Sequence, residues 1–165
     1  MSNNSEKGRK GELAVTAILS NIGVHEPRIE VIRANTTTTP ENGVDIALKC
    51  PHNLSNKLDD IVSSGKSEIA LANSQIDVRI QVKNYANPIS KAIAQGFVDD
   101  ISRNKNFAEH WIVGGTRYTK GAKEVISKAN QEAPVKCYTA HDMAKIQANY
   151  PEIPFTKINC DDGEK

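Results

Sequence analysis

Between Lys7 and Ile22 the apolar residues Val15, Ile18, Leu19 and Ile22 recur at helical spacing and form one stripe, and Gly23 predicts the stop. Glu12 stands three residues before Val15, at the margin of that stripe, an unusual place for a carboxylate. The period then changes. Arg28 to Arg33 reads as a first strand, followed by a Thr-rich polar loop over 35–42 that contains Pro40. Gly43 to Leu48 reads as a second strand, with Val44, Ile46 and Leu48 on one face and Asp45 and Ala47 on the other. The clearest alternation runs from Ile76 to Val82. There Ile76, Val78, Ile80 and Val82 share one face, and Asp77, Arg79, Gln81 and Lys83 share the opposite one.

Pro88 closes this region and Ser90 predicts a helix cap ahead of an apolar stripe of Ile93, Phe97, Val98 and Ile101. The run His110 to Val113 reads as a short buried strand closed by Gly114 and Gly115. Thr119 predicts the cap of a further helix bearing Val125, Ile126 and Ala129. Val135 to Thr139 reads as a last strand and Asp142 to Ala148 as a last helix. Strand–helix–strand units late in the chain imply parallel pairing, while the earlier strands can form a meander. The fold class expected is α/β, a mixed central sheet flanked by helices.

Length allows a single domain, set at residues 1–150, with 151–165 as a loosely ordered tail. The stretch of about 50–75, between the second and third strands, is longer than a turn needs and reads as an insertion with a short helix at Leu58 to Val62. Its apolar residues Leu54, Leu58, Ile61 and Val62 can dock that helix on the domain or on a partner subunit. Its polar face would then be left for DNA or a dimer contact, so that a short Gly-Asn turn could replace the segment without loss of folding.

A 38% apolar and 25% charged composition describes a globular protein. No apolar run approaches the roughly 20 residues of a membrane helix, and the first residues lack the apolar core of a signal peptide. Cys50, Cys137 and Cys160 are odd in number and widely spaced, without zinc-site spacing. Together these features predict a cytoplasmic protein. The net charge of +1 is uninformative as a whole, but Lys7, Arg9 and Lys10 cluster early, and Arg117, Lys120, Lys123 and Lys128 later.

The chemistry concentrates where two alternations converge. If the strands carrying Asp45 and Gln81–Lys83 pair, their polar positions meet in one patch, with Glu12 approaching from the first helix. Two carboxylates and an amide oxygen form a hard-oxygen set suited to Mg²⁺, with Mn²⁺ as a substitute. Lys83 adds a point charge that can hold a phosphate or orient water. His110 and His141 read as structural hydrogen-bonders before catalytic bases, and Gln95 faces either the site or solvent.

Gly43-Val44-Asp45-Ile46 followed by Ile80-Gln81-Val82-Lys83-Asn84-Tyr85 resembles the core of the Mrr-like restriction endonucleases, in the PD-(D/E)XK nuclease superfamily. That branch carries Gln-x-Lys where the superfamily motif has an acidic residue. Gly11-Glu12-Leu13 opening a helix, and Trp111 to Ala122 spanning a strand, a turn and a helix start, extend the resemblance over most of Gly8 to Ile146. No proline precedes Asp45.

The resemblance implies a restriction-endonuclease-like core and a metal-dependent endonuclease that hydrolyses phosphodiester bonds of DNA, acting in defence against foreign DNA. It implies Asp45, Gln81 and Glu12 at the metal and Lys83 at the reacting phosphate. Arg9, Lys10, Tyr85, Arg117, Lys120 and Lys123 are the candidate DNA contacts. One site per chain predicts nicking, and a double-strand break would need a homodimer. The alternatives are a Holliday-junction resolvase, which shares the fold, and an inactive nuclease-like DNA-binding module.

Overall fold

In the computed structural model, which describes residues 4–32, 43–83 and 86–152 and side chains from residue 10 onward, the period-2 segments pair into one sheet. Its five strands are β1 (Glu30–Ile32), β2 (Ile46–Pro51), β3 (Gln75–Lys83), β4 (Glu109–Gly114) and β5 (Val135–Tyr138), in spatial order 1-2-3-4-5. The first three run as an antiparallel meander, and β3–β4 and β4–β5 pair in parallel. Parallel neighbours need a crossover. The two crossovers are α3 (Lys91–Asp99), continued by a 3₁₀ turn over Asp100–Arg103, and α4 (Lys120–Ala129). Both lie on the same face of the sheet, around Phe97, Ile112, Ala122 and Ile126. On the other face α1 (Asn4–His25), α2 (Leu54–Ser64) and α5 (Ala140–Ala148) enclose the larger core of Leu19, Ile22, Leu58, Ile80, Trp111 and Ile146. The expected α/β fold, a mixed sheet between helical layers, is the one found.

Local chemistry sets the helix starts. Ser90, Thr119 and Thr139 each accept a hydrogen bond from the backbone N–H three residues on, and Thr139 forms a reciprocal capping box with Asp142. That box starts the last helix at Ala140, two residues before the expected boundary. Gly23 does not stop α1, which runs on to His25. A side chain at Gly23 would come within 2.9 Å of the Ile29 carbonyl oxygen, so glycine there admits the returning chain. The second strand also differs from its expectation. Its ladder starts at Ile46, because Gly43 has φ of 74° and turns the chain immediately before it.

The insertion is part of the core. Its helix α2 spans eleven residues, and Leu54, Leu58 and Ile61 are at most 1% exposed. Asp59 accepts from Tyr138 Oη at 2.9 Å and pairs with Lys136 Nζ at 2.7 Å. Lys145 and Asn149 donate to the carbonyls of Val62 and Gly65. The irregular segment that returns to β3 is held by Asn53, which donates to Ala70 O and accepts from Ala72 N, both at 2.9 Å. Of the two places where the anchors could dock α2, the domain is the one found, and its burial and bonding are not those of a segment that a tight turn could replace. Three of the four apolar anchors, Leu54, Leu58 and Ile61, complete the core of the same chain, and Val62 packs against it.

Candidate active site

Asp45 lies in the turn just before β2, and β2–β3 pairing, which aligns Ile46 with Ile80, brings it against β3. Its N–H donates to Ile80 O at 3.0 Å, and its Oδ2 accepts from Val82 N at 2.7 Å. Burial raises the Asp45 carboxyl above its usual value. The Val82 N–H and the charges of Lys83 and Arg79 oppose that rise. Asp45 and Lys83 are thus brought together as expected, with the carboxylate clamped on the backbone of the strand that carries the lysine.

The polar face of β3 was expected beside a site, and it is covered instead by α3 and α4. Arg79 is fully buried and Gln81 is 8% exposed. Parallel strands between helical layers are apolar on both faces as a rule, so each polar side chain here needs a partner. Arg79 has several. Its Nε donates to His110 Nδ1 at 2.8 Å, Nη1 to Gly43 O at 3.0 Å and Nη2 to Phe97 O at 3.0 Å, and the guanidinium stacks 4.4 Å above the Phe97 ring. His110 accepts with Nδ1, so the ring is neutral with its proton on Nε2. Burial, then the Arg79 charge, holds its pKa down to about 4. His110 is the structural hydrogen-bonder. Sequence reasoning gave Arg79 no role; the available signal was a cation in a strand whose register sets it directly opposite His110 on β4.

Gln81 is different. Its Oε1 is buried and has no hydrogen-bond partner among the described residues. A buried amide oxygen without a donor is costly, and a cation is one partner that would satisfy it. The described residues hold no group of three or more His, Cys, Asp or Glu that could bind a metal. Mg²⁺, however, is commonly held by one or two carboxylates with the remaining positions left to water and substrate phosphate. The oxygen donors present are of that chemical type: the Asp45 carboxylate, bonded to Val82 N, and the buried amide oxygen of Gln81, the residue before Val82.

Lys83 ends β3 opposite Gly114, where φ is 123° and any side chain would overlap the Lys83 carbonyl oxygen. Beside Lys83 a cavity of about 170 Å³ opens between α1 and α5, lined by Gly11, Val15, Val82, Gly114 and Met143. Glu12, half-buried, is the residue after Gly11 on α1 and is not itself among the residues that line the cavity. Gly11, Ala14, Val15 and Ile18 of α1 thus share a cavity with Lys83 at that end of the sheet.

Among the expected DNA contacts, Lys10, Arg117, Lys120 and Lys123 are exposed. The last three sit on the loop and helix that follow β4, at the Lys83 end of the sheet. Ile89 N donates to Arg117 O and Thr119 N to Ile89 O, so the loops after β3 and β4 run side by side into the starts of α3 and α4. Lys91 opens α3 and packs against Gly121 of α4, a cation that sequence reasoning did not single out. The Arg9 side chain, Tyr85 and the segment 153–165 lie outside the described residues. Gln95 is exposed and donates to Asp99 one turn on, and His141 is exposed. Cys50 is buried and Cys137 half-buried, both as free thiols. Among the described residues no helix is long and apolar enough to cross a membrane. No protein-family model and no curated protein matches this chain.

Proposed function

We propose that the chain is a Mg²⁺-dependent DNA endonuclease acting through Asp45, Gln81, Lys83 and Glu12. The observation that carries the reading is the pairing of an Asp45 carboxylate fixed on Val82 N with a buried, unpartnered Gln81 oxygen on the same strand as Lys83. Asp45 and Gln81 would hold the cation, which when bound supplies a Lewis acid to the phosphodiester. Lys83 binds a non-bridging phosphate oxygen and stabilises the charge that grows there during attack. Glu12, on the α1 side of the adjoining cavity, accepts a proton from the attacking water. Lys91, Arg117, Lys120 and Lys123 bind the DNA backbone without regard to sequence, an attraction that weakens with salt.

Incubation of supercoiled plasmid, a fork and a four-way junction with the protein in Mg²⁺, Mn²⁺ or EDTA tests this. Metal-dependent nicking of plasmid is expected. Cleavage confined to the junction would assign a resolvase, and binding without cleavage in either metal would leave only a DNA-binding module.

A further inference from the structure

The fully buried guanidinium of Arg79 has no evident reason to be there as a matter of stability. Removing a cation from water is expensive, and an apolar side chain between Val78 and Ile80 would fill the same space. Among the described residues Arg79 belongs to no ion pair within contact distance; its partners are the ring nitrogen of His110 and two main-chain carbonyls. Those partners belong to three different parts of the fold: β4, the end of α3, and the turn that precedes β2.

The third is the informative one. Gly43 begins the turn that carries Asp45. Its φ of 74° suits glycine, and a side chain there would overlap the Asp100 carboxylate, so the turn is seated tightly against the 3₁₀ segment. Asp45 itself is fixed at N and Oδ2 to β3. Arg79 Nη1 holds the other end of the same three-residue turn, at Gly43 O. A planar fork with separate donors can grip a carbonyl on the turn, a carbonyl on α3 and a ring on β4 at once, which a lysine ammonium at the end of a flexible stem cannot.

We propose that Arg79 is a positioning residue that fixes the Gly43–Asp45 turn, and through it holds the Asp45 carboxylate on the Val82 amide. What Asp45 then does rests on the nuclease reading above; that it is held this way does not.

The test is the Val82 amide resonance of the full chain, read by NMR in wild type, Arg79→Met, Arg79→Lys and Asp45→Ala, alongside plasmid nicking. Asp45→Ala defines the position of the amide without its acceptor. Both Arg79 variants should move the Val82 resonance most of the way to that position, and nicking should fall about 100-fold, the scale of a displacement of roughly 1 Å at a reacting group. Ile112→Ala, a cavity on the same face of the sheet, should lower the melting temperature yet leave the Val82 resonance and nicking near wild type. Should Arg79→Met fail to fold, Arg79→Lys, which keeps the charge and most of the volume, decides the matter. A Val82 resonance unmoved in folded Arg79→Lys overturns the proposal. So does tighter Mn²⁺ binding with the resonance unmoved, because Arg79 would then act only through its charge. A shifted Val82 resonance in a protein whose wild type never cuts DNA upholds the positioning role and removes the nuclease reading instead.

Discussion

Val82 donates its backbone N–H to Asp45 Oδ2 at 2.7 Å, across the junction of β2 and β3. The bond spends a ladder donor on a side chain and aims the carboxylate at the strand that carries Gln81 and Lys83. Burial nonetheless disfavours the ionised form of Asp45. A carboxylate kept where the fold opposes its charge is a common trade of stability for function. Asp45→Asn keeps an acceptor for Val82 N and removes that charge. It should melt no lower than wild type at neutral pH in calorimetry, while losing cleavage. A large drop in melting temperature would mean Asp45 serves the fold.

In the proposed mechanism Lys83 acts on the phosphate and not on the cation, so Lys83→Ala should abolish nicking while leaving Mn²⁺ affinity by calorimetry close to wild type. Wild-type nicking in this variant would remove Lys83 from the mechanism.

The amide at position 81 attracts a cation less than a carboxylate would. Gln81→Glu should therefore tighten Mg²⁺ and Mn²⁺ binding. Unchanged affinity would show that the buried oxygen is not a ligand.

His110 supplies a pH dependence whose sign is fixed by its environment. An unfolded histidine takes a proton near 6.5, while native His110 does so only near pH 4. The unfolded state then binds more protons across that window, so stability is full above about 6.5 and is lost as pH falls toward 4, by up to a few kcal/mol. In urea titrations His110→Asn, whose Oδ1 can accept from Arg79, should flatten this part of the profile. An identical profile would assign the acid sensitivity elsewhere.

The insertion yields a stability prediction opposite to the one its composition suggested. Leu58 is 1% exposed, and Leu58→Ala should cost about 2–5 kcal/mol, read from the urea midpoint. Replacing residues 53–74 by Gly-Asn should leave no cooperative transition. A shortened protein that still unfolds cooperatively would show that α2 is an accessory.

Periodicity made most of this fold legible. Each strand and helix was present in the spacing of apolar residues, and Ser90 and Thr119 marked their helix starts, because local hydrogen bonds decide those positions. Asp45, Gln81 and Lys83 were legible for the same reason, since alternation alone puts them off the core face. What spacing cannot convey is what covers that second face. Arg79 and Gln81 look like solvent-facing positions until α3 and α4 are laid over them, and whether they are is a tertiary fact. Gly23 and Gly43 were ambiguous in the same way. One admits the carbonyl of Ile29, six residues on, as the chain turns back, and the other makes a turn seated against Asp100, far away in sequence. The α2 anchors were legible, but four apolar residues in a polar stretch do not reveal whose core they complete, so domain and partner both stayed open until the fold placed them in the core of this chain.

The lodging of α2 against β5 and α5 bears on how the protein comes off the ribosome. Its side chains and last carbonyls are fastened to Tyr138, Lys145 and Asn149, residues 79 to 84 positions later. The hairpin bearing Asp45 and Lys83 is synthesised early, and the helix that joins its two strands can pack on α1 and the sheet, but its polar contacts wait for β5 and α5. The full set of α2 contacts during translation thus waits until residues 138–149 have been made, and a nascent chain stalled before residue 138 should be more sensitive to protease in α2 than one extending past residue 149.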